Sequence, residues 1–176
     1  MKLRTLLRAR TALVVGVVAA LVVPFSAFGG TSSRAGTKIA QLERQANLYQ
    51  INDIEVKFHR ATSTHNLKLM MSLWAPGSIF NIDTQTLTGK AQIRHWFATE
   101  NKAFMPTHHW ESDTPSYKIK IHLNGDHATI YFECHYIDPK TATVVALAGV
   151  THTVQKINGK WLITNSSGST ATLSAS

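Results

Sequence analysis

The chain has one cysteine, Cys134, in 176 residues. No intramolecular disulfide can form, and no metal site built on several thiolates can exist. Acidic residues are scarce too: ten Asp and Glu stand against eighteen Lys and Arg, and none precedes Glu43. No Gly-rich phosphate loop is present; Gly89 stands alone at a helix start. No Ser occupies a Gly-x-Ser-x-Gly elbow. No two histidines have the His-x-x-x-His spacing of a helical zinc pair, so no metal and no cofactor is expected. No run of Lys and Arg with interleaved aromatics offers a nucleic-acid face, so nucleic acid is not an expected partner.

What charge there is lies unevenly. Lys2, Arg4, Arg8 and Arg10 account for four of the eight net positive charges, and they precede an apolar stretch, Thr11–Phe28, interrupted by Pro24. That order is an export signal. Ala27-Phe28-Gly29 places small residues at the two positions a signal peptidase requires. Residues 1–30 are therefore a signal peptide or an N-terminal membrane anchor. Both readings stand, and both put the domain outside the membrane, secreted or anchored by this segment alone. Residues 31–37, TSSRAGT, read as a small-residue linker.

Beyond the linker the hydrophobic period is helical. Ile39, Leu42, Ala46 and Tyr49, then Ile51, Ile54, Phe58 and Ala61, recur at helix spacing from Lys38 onward. Thr62–His65 breaks the run, and Asn66 suits the N-cap of a short second helix with Leu67, Met70, Met71 and Trp74 as its stripe. Pro76-Gly77 reads as a stop. Ile79–Asp83 is a strand, Thr84–Thr88 a polar connection, and Gly89 opens a third helix with Ile93, Trp96 and Phe97 inward. The second half alternates with period two. Tyr117–Leu123, Ala128–Ile137, Thr143–Ile157 and Trp161–Asn165 are four strands, joined at Asn124-Gly125-Asp126, Asp138–Thr141 and Asn158-Gly159. The domain spans 38–166, and 167–176 is a Ser/Thr/Ala-rich flexible tail. The fold class is α+β: three helices laid on one face of a curved, mainly antiparallel sheet. Clefts between such layers hold small apolar ligands.

The stretch FHRATSTHNLKLMMSLWAPGSIF, then LTGKAQIRHWF, THHW, NGDHAT and INGKWLI, resembles the SnoaL-like branch of the nuclear transport factor 2-like superfamily. The resemblance covers Ile39–Asn165. It implies a cone-shaped roll with an interior pocket, often dimeric. Members include polyketide cyclases, ketosteroid isomerases, dehydratases and epoxide hydrolases. Related isomerases place a tyrosine oxyanion donor where this chain has Phe58, and an aspartate base where it has Ile82, with Asp83 one residue on. A one-residue shift in a strand reverses the face. The third isomerase position falls on His152, nine residues before Trp161. The resemblance also places the His108-His109 pair near the pocket rim; the alternative is a loop pair beside Trp110.

His152 is the expected proton-transfer group, with Phe58, Trp74, Phe80, Ile82, Trp96, His109 and Phe132 shaping the pocket. The face it occupies depends on one hairpin. A three-residue loop pairs Asp138 with Ala142 and puts His152 with Ala128, Ile130, Phe132 and Cys134. A four-residue loop pairs Asp138 with Thr143 and puts it with Thr129, Tyr131, Glu133 and His135, where three ligand-type side chains would meet. The first separates apolar from polar cleanly and is preferred. Cys134, alternating with Phe132 and Ile130, reads as a small buried hydrophobe. His59, His65, His95, His122 and His127 read as surface or helix-face residues. The expected function is binding of a small hydrophobic, polyketide- or steroid-like molecule, with cofactor-free acid–base chemistry if it is an enzyme. The rival is a filled, non-catalytic dimerisation or docking module.

Overall fold

The structure, a computed structural model, describes residues 31–104, 111–112 and 118–172. Contacts divide the chain into Met1–Lys38 and Ile39–Ser176. The sheet, the core and every site described below lie in the second unit. Residues 1–30, read as signal or anchor, lie outside the described residues. Among the described residues no helix is long and apolar enough to cross a membrane.

The first helix, α1, runs Thr31–Ser63. The stretch 31–37, expected as a linker, is helical. It contains no proline, and one glycine costs a helix only about 1 kcal/mol. Ile51, Ile54, Phe58 and Ala61 are buried as expected, but Ile39, Leu42 and Tyr49 are 57%, 57% and 76% exposed. At about 100° per residue, the two groups lie on different sides of the helix. The apolar residues that recur at helix spacing in the sequence form two stripes. Asn47 ties α1 to the sheet, its side-chain oxygen accepting from Lys156 Nζ at 3.0 Å and Trp161 Nε1 at 3.2 Å.

His65, with φ 53°, turns the chain sharply after α1. Asn66 then caps α2, Leu67–Ser72, accepting from the Leu69 amide at 2.9 Å as expected. Strand β1 spans Trp74–Ile82, so Pro76-Gly77 lies inside a strand and does not end an element. Between the pairs Trp74↔Ile163 and Ile79↔Asn165, β1 carries more residues than its neighbour. This bulge accommodates a proline that has no N–H to give the ladder. The expected polar connection is partly a strand as well: β2, Gln85–Thr88, folds back antiparallel on β1. Helix α3, Gly89–Thr99, buries Ile93, Trp96 and Phe97. Gly89 takes φ +79°, a conformation that costs a residue with a Cβ.

Strands β3 (Glu111–Ser112), β4 (Ile119–Asn124), β5 (His127–Asp138), β6 (Thr143–Ile157) and β7 (Lys160–Thr172) complete a seven-stranded sheet. Its order is β2-β1-β7-β6-β5-β3, with β4 also on β5. The meander β4–β7 is as expected. All pairings are antiparallel except β1 with β7. Register shifts also interrupt β5/β6 at Tyr136/Ile137 and β6/β7 at Thr153/Val154. Such shifts bend strands, and a bent sheet leaves a concave face for the helices.

Part of the expected tail is strand. Residues 167–172 belong to β7, paired with β6 on one side and, as far as Gly168, with β1 on the other. A Cβ at Gly168 would meet Gly149 O at 3.2 Å, and Ile82 and Val150 side-chain carbons at 3.4 Å. The small residues of this segment let three strands approach closely.

Candidate functional site

The hairpin that decides the face of His152 combines both expectations. Asp138 pairs with Thr143, so the loop has four residues. The ladder then slips: Ile137 pairs with Val144 but Tyr136 with Ala146. Val145 is the extra residue. The bulge adds a further one-residue shift, which returns His152 to the face expected from the shorter loop, now opposite Ile130 on the inner face. Glu133 and His135 therefore cannot join it. Among the described residues no three His, Cys, Asp or Glu side chains are arranged to hold a metal ion.

His152 is fully buried, as are its neighbours. Its ring lies 5.2 Å from Phe132, 5.4 Å from Phe58 and 5.8 Å from Trp74 between centroids. Its Nδ1 is 2.8 Å from the hydroxyl of buried Ser166, its cross-strand partner on β7. Burial lowers its pKa from 6.5 to about 3, so the imidazole is neutral in the folded protein at any ordinary pH. Its Nε2 has no hydrogen-bond partner among the described residues, and neither does Nε1 of Trp74. Each buried, unpaired polar atom costs about 1–3 kcal/mol. Two of them on contacting rings mark a place where the core is polar without being satisfied.

The expected pocket residues are brought together. Phe58, Trp74, Phe80, Ile82, Trp96 and Phe132 are all buried in one apolar cluster with His152 against it. Phe80 packs 5.2 Å from Trp74 and 5.3 Å from Trp96. His109 lies outside the described residues. Asp83 turns outward, its carboxylate accepting from the Thr170 amide and hydroxyl at 3.0 and 3.1 Å. Ile82 takes the inward position.

A second polar cluster was not expected. His59 is fully buried, not a surface residue. On α1, Glu55 Oε1 lies 2.9 Å from His59 Nδ1; across the core, His59 Nε2 lies 2.8 Å from Cys134 Sγ on β5. With Glu55 ionised the carboxylate only accepts, which fits the Nδ1–H tautomer and leaves Nε2 to accept from the thiol. Cys134 is buried as expected but is hydrogen-bonded, not merely a hydrophobe. Glu55 and His59 one helical turn apart, beside inward Phe58, were the available sequence signal. Nothing local pointed to a partner 75 residues on. Near it, burial pushes the Tyr136 phenol well above its ordinary value, with Cys134 adding to the effect. The Phe132 ring bridges the two clusters, 5.3 Å from His59 and 5.2 Å from His152.

The outer sheet face has its own chemistry. Glu133 accepts from Tyr131 at 2.6 Å and Lys118 at 3.0 Å. These bonds, Tyr131 first, hold its carboxyl below the ordinary carboxylate value, and the bond to Glu133 raises the phenol. A cleft of about 290 Å3 lies there, bordered by Tyr131, His135, Leu147 and Gly149. Another, of about 430 Å3, is bordered by Asp53, Lys57, Ser72, Lys160 and Trp161. Neither borders His152. Of the remaining histidines, His65 is half-buried with Nδ1 3.0 Å from Phe104 O, and His95, His122 and His127 are exposed.

The structure resembles solved proteins of one scaffold. An NTF2-like protein from Pseudomonas putida KT2440 superposes with a TM-score of 0.61 at 16% identity, covering 71% of this chain and 87% of that one. An NTF2-like protein with a cystatin-like fold from Novosphingobium aromaticivorans gives 0.61 at 13%, covering 85% and 94%. A type 2 hexachlorocyclohexane dehydrochlorinase, LinA, gives 0.59 at 14%, covering 77% and 95%. At these identities the likeness concerns the fold. No curated protein matches the chain in sequence. Residues 56–162 match the family model of the SnoaL-like domain, more than half of the 176-residue chain. The chain belongs to the SnoaL-like family, within the NTF2-like proteins.

Proposed function

We propose that this domain binds a small, mainly apolar molecule carrying a hydrogen-bonding oxygen, in its interior beside His152. The observation that carries the reading is the pair of unpartnered nitrogens, His152 Nε2 and Trp74 Nε1, buried on contacting aromatic rings. Trp74 can only donate, so the ligand atom it meets must accept. A carbonyl or ether oxygen on a polyketide- or steroid-like skeleton satisfies it while the ring walls take the apolar body. The dehydrochlorinase built on the same scaffold is named for a small apolar substrate, which supports the ligand class.

Binding is better supported than proton abstraction by His152. A conjugate acid near 3 sits roughly 5 kcal/mol below an ordinary imidazole as a proton acceptor. A ligand oxyanion beside Nε2 would raise that value and restore a base. In this reading, residues 1–30 export or anchor the domain, and a second copy packs on the sheet to form a homodimer.

The second reading is the filled, non-catalytic module. It draws on the density of the aromatic core, where Phe97 lies 5.0–6.3 Å from Trp96, Phe104, Phe58, Phe80 and Trp74. Native mass spectrometry of the purified protein, with cyclohexanone as a probe, separates the two. A bound small molecule or a saturable probe complex supports the pocket. A bare protein that stays bare at millimolar probe supports the module.

A further inference from the structure

We propose that Cys134 is a nucleophilic site, with His59 as its base and Glu55 as the group that orients that base. It would capture a conjugated, α,β-unsaturated carbonyl compound by covalent addition. The inference rests on the interior accepting a ligand, as argued above.

Three features make the cluster more than a buried thiol. The contacts run in the order a nucleophile needs: thiol to imidazole Nε2 at 2.8 Å, imidazole Nδ1 to carboxylate at 2.9 Å. The base comes from α1 and the nucleophile from β5, so helix-to-sheet packing holds the geometry. An independent observation marks unsatisfied polarity nearby. His152 Nε2 and Trp74 Nε1 are unpartnered in the same core, and Phe132 touches both His59 and His152. An apolar core residue at 134 would remove the Sγ contact of His59 Nε2, so the cluster also contributes to packing, and the test below separates the two roles.

The chemistry closes without a further reactant. As Cys134 Sγ forms a bond to the β-carbon of the enone, the S–H proton passes to His59 Nε2. The C=C electron pair moves to the α-carbon and onward to the carbonyl oxygen as an enolate. Glu55 stabilises the transient imidazolium. His59 then returns the proton to the α-carbon, giving a saturated thioether ketone. No group leaves, and nothing is oxidised or reduced overall.

The test uses 2-cyclohexen-1-one and its unreactive analogue cyclohexanone on the whole purified protein at neutral pH. Intact mass reads thioether formation. The chain has one cysteine, so an adduct absent from Cys134→Ser is on that thiol. Native protein is expected to add one equivalent at least about tenfold faster than the same protein unfolded in urea, a modest share of what a positioned base supplies. His59→Gln should lose that advantage. The native-to-unfolded rate ratio of the wild type needs no variant and stands even if His59→Gln does not fold. A native thiol that is protected, reacting only in urea, overturns the proposal. If cyclohexanone meanwhile shifts the His152 and Trp74 NMR signals, the pocket reading survives and only Cys134 chemistry fails. If it shifts neither, both fail.

Discussion

His152 on β6 and Ser166 on β7 face each other across the ladder, Nδ1 to hydroxyl 2.8 Å apart, with neither residue exposed. The pair fixes the imidazole in the apolar core and leaves Nε2 as its only open valence. Ser166→Ala leaves the second ring nitrogen unpaired as well. We expect a loss of about 1–3 kcal/mol in urea unfolding at neutral pH. An unchanged midpoint would mean the ring finds another partner.

The same burial makes stability pH-dependent. The folded pKa of His152 is about 3, below the ordinary 6.5. Between those values the unfolded chain binds a proton that the folded one does not. Its contribution is thus fully present above 6.5 and is lost as pH falls toward 3, at about 1.4 kcal/mol per pH unit. His152→Leu should flatten the stability profile by that slope relative to wild type. Parallel profiles for the two proteins would contradict a buried neutral histidine.

Close strand approach gives a third expectation. A side chain at Gly168 meets backbone at 3.2 Å, whereas one at Gly77 meets nothing within 4 Å. Gly168→Val should cost about 1–3 kcal/mol by overpacking, and Gly77→Ala should change stability by less than about 0.5 kcal/mol. Thermal denaturation of both variants reads the difference. Equal effects would remove the case that β7 is closely packed at Gly168.

Local chemistry made much of this fold legible. Asn66 as a cap, Gly89 opening α3 and the Asn158-Gly159 turn between β6 and β7 each follow from what those residues do to a backbone. The exposed stripe Ile39–Leu42–Tyr49 shares helical spacing with the buried one, and periodicity cannot say which stripe meets a sheet. Residues 167–172 became strand because β6 pairs along them and β1 flanks them as far as Gly168, a tertiary fact that overrides weak propensity. For the site, inward Phe58 and His152 followed from alternation and spacing. The Val145 bulge that puts His152 there, and the meeting of His59 with Cys134, depend on contacts between distant segments.

The central claim is that His152 presents a neutral, unpaired Nε2 to a ligand. Long-range proton–nitrogen NMR of the imidazole tests it most directly. The account predicts one neutral tautomer persisting to about pH 4, Nδ1 bonded to Ser166, and an Nε2 signal that moves as cyclohexanone is added. A ring that titrates near its ordinary 6.5, with a signal indifferent to the ketone, would contradict it.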